Sequence, residues 1–135
     1  MVLPITKDGM VVAVSQYKQG CNKIILELPA GTADFKDENP EAIAARELLE
    51  ETGYRAEKMI FLGPAQWMAS RNSWTRFFPF VALGCEKVKA VKLDSSEGIE
   101  TVLIPHPKWL ELCRSEVEEP STIVATFRAM PYCQK

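Results

Sequence analysis

The feature that most constrains the fold is a helix whose two ends are both marked in the sequence. Asn39 suits the N-cap, Pro40 suits the first helical position, and Glu41 favours the positive end of the helix dipole. Residues 42–51 are mostly strong helix formers without a breaker. Gly53 can adopt the left-handed conformation that ends a helix. The sequence therefore predicts a helix that begins near Pro40 and ends at Gly53.

Three carboxylates of this helix share one face. At 100° per residue, Glu47, Glu50 and Glu51 fall within an arc of about 100°. A solvated acidic face is one interpretation, although like charges at this spacing cost a few tenths of a kcal/mol per pair. A site for a hard cation such as Mg²⁺ is the other, because such ions take oxygen ligands. The opposite arc is expected to pack on a sheet and carries Ala42, Ala44, Ala45, Leu48 and Leu49.

Short apolar and β-branched segments surround the helix and predict strands. Asp8-Gly9 between the first two is a hairpin signal. Pro79 inside the run FFPFVAL indicates a sheet edge or a bulge. The predicted strands are residues 2–6, 11–16, 23–28, 59–62, 77–83 and 99–104, and two further helices are predicted over residues 107–113 and 121–130. This mixture of elements predicts an α/β fold.

Composition narrows the function classes. The length of 135 residues suits one domain, residues 1–135. A formal net charge of −2 lacks the basic surplus of a nucleic-acid-binding protein, and no apolar run approaches the ~20 residues that span a bilayer. The four cysteines show no CxxC spacing, so we expect free thiols. We therefore expect a cytoplasmic protein that binds neither nucleic acid nor membrane.

Residues 31–54 read GTADFKDENPEAIAARELLEETGY and resemble the Nudix box, G-x5-E-x7-R-E-U-x-E-E-x-G-U, where U is a bulky apolar residue. The second half, Arg46 to Tyr54, agrees at every fixed position if Tyr54 is taken as the last apolar one. One departure is that six residues, not five, separate Gly31 from Glu38, which we interpret as a loop insertion. The resemblance extends over about residues 11–125. It implies a Nudix-type α/β/α sandwich with a mixed β-sheet.

The resemblance also implies roles for individual residues. The expected metal ligands, for Mg²⁺ or alternatively Mn²⁺, are the Ala30 carbonyl, Glu47, Glu50 and Glu51. The expected structural brace of the box is Gly31, Glu38, Arg46 and Gly53. Catalysis is expected from Glu50 and from a general base, for which Glu97 in the loop before the last strand is the first candidate and Glu51 the second.

The segment LELPAG at residues 26–31 is similar to that of ADP-ribose and other nucleoside-diphosphate-sugar pyrophosphatases. Those enzymes resemble one another in a proline about sixteen residues beyond the box, where this sequence has Ser70. They also commonly carry an extra N-terminal domain, which we expect this protein to lack because its sequence begins almost at the core. In the loop of residues 63–76, the candidate substrate-binding residues are Trp67, Arg71, Trp74 and Arg76.

The leading hypothesis is thus Mg²⁺-dependent hydrolysis of a diphosphate in a small nucleotide substrate, an NDP-sugar or an ADP-ribose-like compound. A nucleoside triphosphate pyrophosphohydrolase is the alternative within the same family. A catalytically silent domain that senses a nucleotide or binds a protein belongs to another class, but it predicts loss of a helix glutamate, and all are present. Similar enzymes commonly form homodimers, so self-association is a further hypothesis.

Overall fold

The computed structural model describes residues 1–32, 39–91 and 98–133. Strands and helices follow one another without strict alternation. The strands are β1 (Val2–Thr6), β2 (Met10–Lys18), β3 (Lys23–Glu27), β4 (Tyr54–Arg55), β5 (Lys58–Phe61), β6 (Gln66–Trp67), β7 (Arg76–Phe77), β8 (Phe80–Lys87) and β9 (Glu100–Pro105). The helices are α1 (Pro40–Thr52), α2 (His106–Ser115) and α3 (Pro120–Cys133). None of the described helices combines the length and the apolarity needed to cross a membrane.

The main sheet is mixed. Its strands run in the order β3-β2-β1-β8-β4, with β5 also paired to β8 and β9 also paired to β2. The β1–β8 pair is parallel, and the other pairs of this sheet are antiparallel. The predicted turn at Asp8-Gly9 joins β1 to β2, with Gly9 at φ +84°. Strands β6 and β7 form a separate two-stranded hairpin.

Helices cover both faces of this sheet. On one face, Val2, Val12 and Phe80 pack with Ala44 and Leu48 of α1. On the other face, the sequence neighbours of these strand residues pack against α2 and α3. The strand residues are Leu3, Val11, Ala13 and Val81, and the helix residues are Trp109, Ala125 and Ala129. Because adjacent strand residues point to opposite faces, the two clusters are separate cores. The predicted α/β/α sandwich is therefore confirmed.

The prediction that residues 77–83 form one edge or bulged strand is wrong. Pro79 separates the short β7 from β8, and its carbonyl accepts a hydrogen bond from Leu62 N at 2.8 Å. Strand β8 lies inside the sheet, between β1 and the strands β4 and β5. Proline has no N–H to give to a ladder, and it is tolerated here because it precedes the central strand.

The predicted packing face of α1 is also wrong in part. Ala42 and Ala45 are exposed, whereas Ile43, Ala44, Leu48 and Thr52 are buried. At 100° per residue these four side chains span a half-turn arc from Ile43 to Thr52. Glu47 and Glu51 both fall within that arc, so two of the three carboxylates are turned away from open solvent, whereas Glu50 is exposed.

All four cysteines lie in the described part of the chain, and none forms a disulfide: Cys21, Cys85, Cys113 and Cys133 are free thiols, as expected.

Candidate active site

Both ends of α1 are fixed, and this sets the rotation of its carboxylates. The Asn39 side chain accepts a hydrogen bond from Glu41 N at 2.8 Å, which caps the first turn. Gly53 ends the helix at φ +77°, and its N–H donates to Leu49 O at 2.9 Å. A Cβ on Gly53 would overlap the Lys89 carbonyl, so glycine is required for packing as well as for the turn. That Gly53 also braces the box around the site remains a prediction.

Glu51 points from α1 toward the segment that follows β3. Its Oε2 accepts a hydrogen bond from Ala30 N at 3.3 Å. Burial, followed by repulsion from the neighbouring Glu47 and Glu27 carboxylates, raises the pKa of Glu51 to about 8. The Ala30 N–H and the Lys18 ammonium oppose this effect but do not cancel it. Glu51 is therefore a carboxyl group held among like charges and partly shielded from water.

Glu47 lies against Gly31. A Cβ added to Gly31 would overlap Cγ and the carboxyl group of Glu47, so only glycine at this position lets the helix approach the loop. The Glu47 side chain is 17 % exposed. Residues 30 and 31, which follow the LELP strand end, thus meet Glu47 and Glu51 at one place. The predicted set of Ala30, Gly31, Glu47 and Glu51 is brought together.

Glu50 takes a different direction. Its side chain is 57 % exposed, and Oε1 lies 4.0 Å from Nε of Arg46. Nη2 of Arg46 lies 3.5 Å from Oε1 of Glu47, so Arg46 links the two carboxylates. Among the residues that the structure describes, no three His, Cys, Asp or Glu side chains converge on one point. Glu47 and Glu51, with the backbone at Ala30, are the groups placed to share a cation.

A cleft of about 710 Å³ is lined by Glu51, Ala30 and Gly31, and Glu47 packs against Gly31 outside this lining. Its polar part includes Glu51, Ala30, Gly31 and the ends of β2 and β3. Its apolar part includes Ile43 of α1. The remaining lining residues are Met1, Gln16, Lys18, Glu27, Thr32, Pro40, Ala44, Met68, Thr75, Arg76, Phe77, Phe78, Glu119 and Ser121. The volume is in the range of small-molecule binding sites.

Sequence reasoning missed an ion pair at the base of this cleft. Lys18 Nζ lies 2.7 Å from Oε1 of Glu27, whose side chain is only 10 % exposed, and it donates to Gln16 Oε1 at 3.3 Å. A carboxylate inside the apolar run KIILEL was the available signal, because a buried acid requires a partner. The pair brings a cation close enough to Glu51 to lower its pKa.

The β6–β7 hairpin forms one wall of the cleft. Arg76 lines the cleft, and its guanidinium carbon lies 4.4 Å from the ring centre of Trp67. The Trp74 ring meets the Trp67 ring edge to face, with 6.2 Å between the ring centres. Trp74 is 91 % exposed. Arg71 is exposed beyond the hairpin strands. Of these four predicted substrate-binding residues, the cleft lining includes Arg76.

Two predicted site residues lie outside the described residues. Glu38 belongs to residues 33–38 and Glu97 to residues 92–97. Gly98, next to Glu97, has φ +54° and leads into β9. The brace at Glu38 and the general base at Glu97 remain predictions.

Sequence comparison finds relatives that share most or part of this chain. A methanol dehydrogenase activator from Bacillus methanolicus is 31 % identical over 131 residues, covering 92 % of this chain and 67 % of that protein. A putative nudix hydrolase 2 from Caenorhabditis elegans is 48 % identical over 138 residues, covering 93 % of this chain and 60 % of that protein. An ADP-ribose pyrophosphatase from Bacillus subtilis (strain 168) is 45 % identical over 58 residues, covering 43 % and 31 %. The chain thus spans between about one third and two thirds of these relatives.

A solved structure gives the same result at the level of the fold. The crystal structure of an ADP compounds hydrolase matches with a TM-score of 0.82 and 25 % identity, over 98 % of this chain and 70 % of that one. The sequence pattern of the NUDIX domain matches residues 1–122. The expected family is therefore confirmed, and with it the expected class of enzyme: this chain belongs to the Nudix hydrolase family.

Proposed function

We propose that the protein hydrolyses the diphosphate linkage of a nucleoside diphosphate derivative, an NDP-sugar or an ADP-ribose-like compound, with a divalent cation. The observation that carries this proposal is the placement of Glu51, with Glu47 as its neighbour, in the lining of a large cleft. Two acids held together away from bulk water repel each other, and the pKa of Glu51 rises to about 8 as a result of burial and this repulsion. A cation between them would remove that repulsion.

The donors fit Mg²⁺ in chemical type. Carboxylate oxygens and a backbone carbonyl are hard ligands, and Mg²⁺ typically uses a few carboxylates together with substrate phosphates. Glu47, Glu51 and the Ala30 carbonyl would hold the ion, and Glu50 would join after turning away from Arg46. Bound Mg²⁺ would neutralise the diphosphate, activate water and stabilise the leaving phosphate. Mn²⁺ has the same ligand preference and could replace it.

The remaining groups of the cleft would bind and orient the substrate. Lys18 offers a cation beside Glu51, and the nearly buried Glu27 holds its ammonium in place. Arg76 offers a second positive charge from the hairpin. A diphosphate that enters between Lys18 and Arg76 would lie over Glu47 and Glu51. Relatives named ADP-ribose pyrophosphatase and ADP-sugar pyrophosphatase support a nucleotide derivative of this kind as the substrate.

The general base is assigned to Glu97 first and to Glu51 second. Glu97→Gln is expected to lower kcat by more than about tenfold with an unchanged KM, since general base catalysis contributes ~10²–10⁴-fold. A smaller loss would transfer the role to Glu51. As a folding control, the melting curve of purified Glu97→Gln must match that of the unmodified protein.

A phosphate-release screen tests the proposed function. NDP-sugars, ADP-ribose, dinucleotides and triphosphates are incubated with Mg²⁺ or Mn²⁺, and the products are identified by chromatography. We expect turnover of a diphosphate-linked compound that EDTA abolishes. Glu50→Gln and Glu51→Gln should each lower it by orders of magnitude, whereas the matched control Glu41→Gln, an exposed glutamate of the same helix outside the cleft lining, should not.

Two outcomes would overturn the proposal. Faster cleavage of triphosphates than of every diphosphate-linked compound would favour the triphosphate hydrolase. Absence of turnover with all compounds would favour a silent nucleotide-sensing domain. The cytoplasmic location and the homodimer stay predictions for fractionation and light scattering.

A further inference from the structure

The β6–β7 hairpin has two chemically different faces. In its register, Trp67 lies opposite Arg76 and Gln66 lies opposite Phe77. Side chains alternate along a strand, so Trp67 and Arg76 share one face while Phe77 belongs to the other. Beyond the paired residues, Met68 N donates to Thr75 O at 2.9 Å and extends the hairpin by one step. We call Trp67, Trp74 and Arg76 the outer face.

The groups of the outer face are engaged with one another. Arg76 stacks on Trp67 at 4.4 Å, Trp74 contacts Trp67 edge to face, and Arg76 Nη2 donates to Ala65 O at 3.0 Å. These contacts hold the hairpin in one shape and fix the direction of Arg76. Neither Trp67 nor Trp74 is among the residues that line the cleft. Arg76 is the member of the outer face that also lines the cleft, and the two tryptophans support it from behind.

The opposite face meets the cleft. Met68, Thr75 and Phe77 all line it, and Phe78 continues the same wall. Met68 and Phe78 are exposed despite their apolar side chains. The cleft wall thus carries an aromatic ring beside exposed apolar groups, and charged side chains lie at the bottom of the cleft. This combination suits a flat ligand that is attached to an anionic group.

We propose that Phe77 stacks on the nucleobase of the substrate, with Met68 alongside it, while Trp67 and Trp74 only support the hairpin. This inference rests on the proposed function, because it names the base subsite of the same cleft. Stacking on a ring tolerates different bases, so the hairpin would select for the presence of a base rather than for one base. The diphosphate would then extend from the nucleobase at Phe77 past Arg76 to the carboxylates at the bottom of the cleft.

Binding of AMP tests the inference without catalysis, because AMP has no diphosphate to cleave. Titration calorimetry with millimolar Mg²⁺ compares AMP with ribose 5-phosphate, which lacks the base. We expect Phe77→Leu to weaken AMP binding by about tenfold and to leave ribose 5-phosphate binding within about twofold. Phe77→Tyr keeps the ring and should restore AMP binding. Trp74→Leu, on the outer face, is the matched control and should change AMP affinity by less than about threefold.

The competing results are distinct. Equal AMP affinity for Phe77→Leu and the unmodified protein would overturn the base subsite, as would an unmodified protein that binds AMP no better than ribose 5-phosphate. A large effect of Trp74→Leu with none of Phe77→Leu would move the base to the outer face. If the phosphate-release screen fails while AMP binding still depends on Phe77, the proposed hydrolysis fails and the base subsite stands.

Discussion

Replacement of Glu51 by glutamine should stabilise the metal-free protein, although it removes a proposed metal ligand. Gln has nearly the same shape, and its carbonyl can accept the hydrogen bond that Ala30 N donates. What it lacks is the charge that Glu51 acquires when it ionises next to Glu47. The charge of Glu51 is thus a cost to folding that Ala30 N–H and Lys18 offset in part and a bound cation would offset further.

The sign and the size follow from linkage. The folded pKa is about 8 and the ordinary value is 4.5, so between these values the folded state holds a proton that the unfolded state has lost. The stability that the folded state retains by keeping Glu51 protonated is fully present below pH 4.5. It is lost as the pH rises toward about 8, where Glu51 ionises. At 1.36 kcal/mol per pKa unit, ionisation of Glu51 would lower the unfolding free energy by at most about 5 kcal/mol. Solvent screening and sharing with Glu47 reduce our expectation to about 2 kcal/mol.

Urea unfolding in EDTA at pH 5, 7 and 8.5 measures the effect for both proteins. The unfolding free energy of Glu51→Gln should exceed that of the unmodified protein by about 2 kcal/mol at pH 8.5, and the gap should close toward pH 5. Titrating groups that do not interact with Glu51 cancel in this difference. Saturating Mg²⁺ should reverse the order, because a ligand that binds only the folded state stabilises it.

Glu50→Gln provides the matched control. It removes the same charge from the same helix, but at a side chain that is 57 % exposed, so we expect a change below about 0.5 kcal/mol. If Glu51→Gln is less stable than the unmodified protein at pH 8.5 without metal, the description of Glu51 as a strained, shielded acid is refuted.

Two further predictions concern the same cleft. Lys18→Met leaves the nearly buried Glu27 carboxylate without its ion partner and should lower the unfolding free energy by about 2–3 kcal/mol, and adding Glu27→Gln should recover at least half; additive losses in the double variant would contradict a coupled pair. Gly31→Ala inserts a Cβ where Glu47 packs, so we expect more than tenfold loss of turnover and of Mg²⁺ affinity by calorimetry, whereas Gly20→Ala, whose Cβ would meet no atom within 4 Å, should be neutral.

The helix and its ends could be predicted from the sequence because their signals are local. The Asn39 cap and the left-handed Gly53 depend on the conformations of a few adjacent residues. The continuous apolar runs of β1 and β2 likewise encode strands that are buried on both faces. Such features depend little on the rest of the fold, so the α/β class followed from them, whereas the α/β/α sandwich was implied by the resemblance to the Nudix family.

The rotation of α1 could not be predicted in the same way. Alanine occurs both in cores and on surfaces, so Ala42 and Ala45 carried no information about which side faces the sheet. The long-range contact between Gly31 and Glu47 settles it, and that contact depends on the chain path after β3. The Lys18–Glu27 pair escaped for the same reason, because its two residues lie on neighbouring strands.

These two failures have one cause, which bears on function. A half-buried acid on the packed side of a helix contradicts the ordinary rule for packing, and so does a charge within a buried strand. Both exceptions, Glu51 and Glu27, meet at the base of one cleft. A sequence that served only the fold would place an apolar residue at each position. Their coincidence is the strongest argument that charge at this place is kept for a ligand, since chance exceptions to packing would not converge on a single cavity.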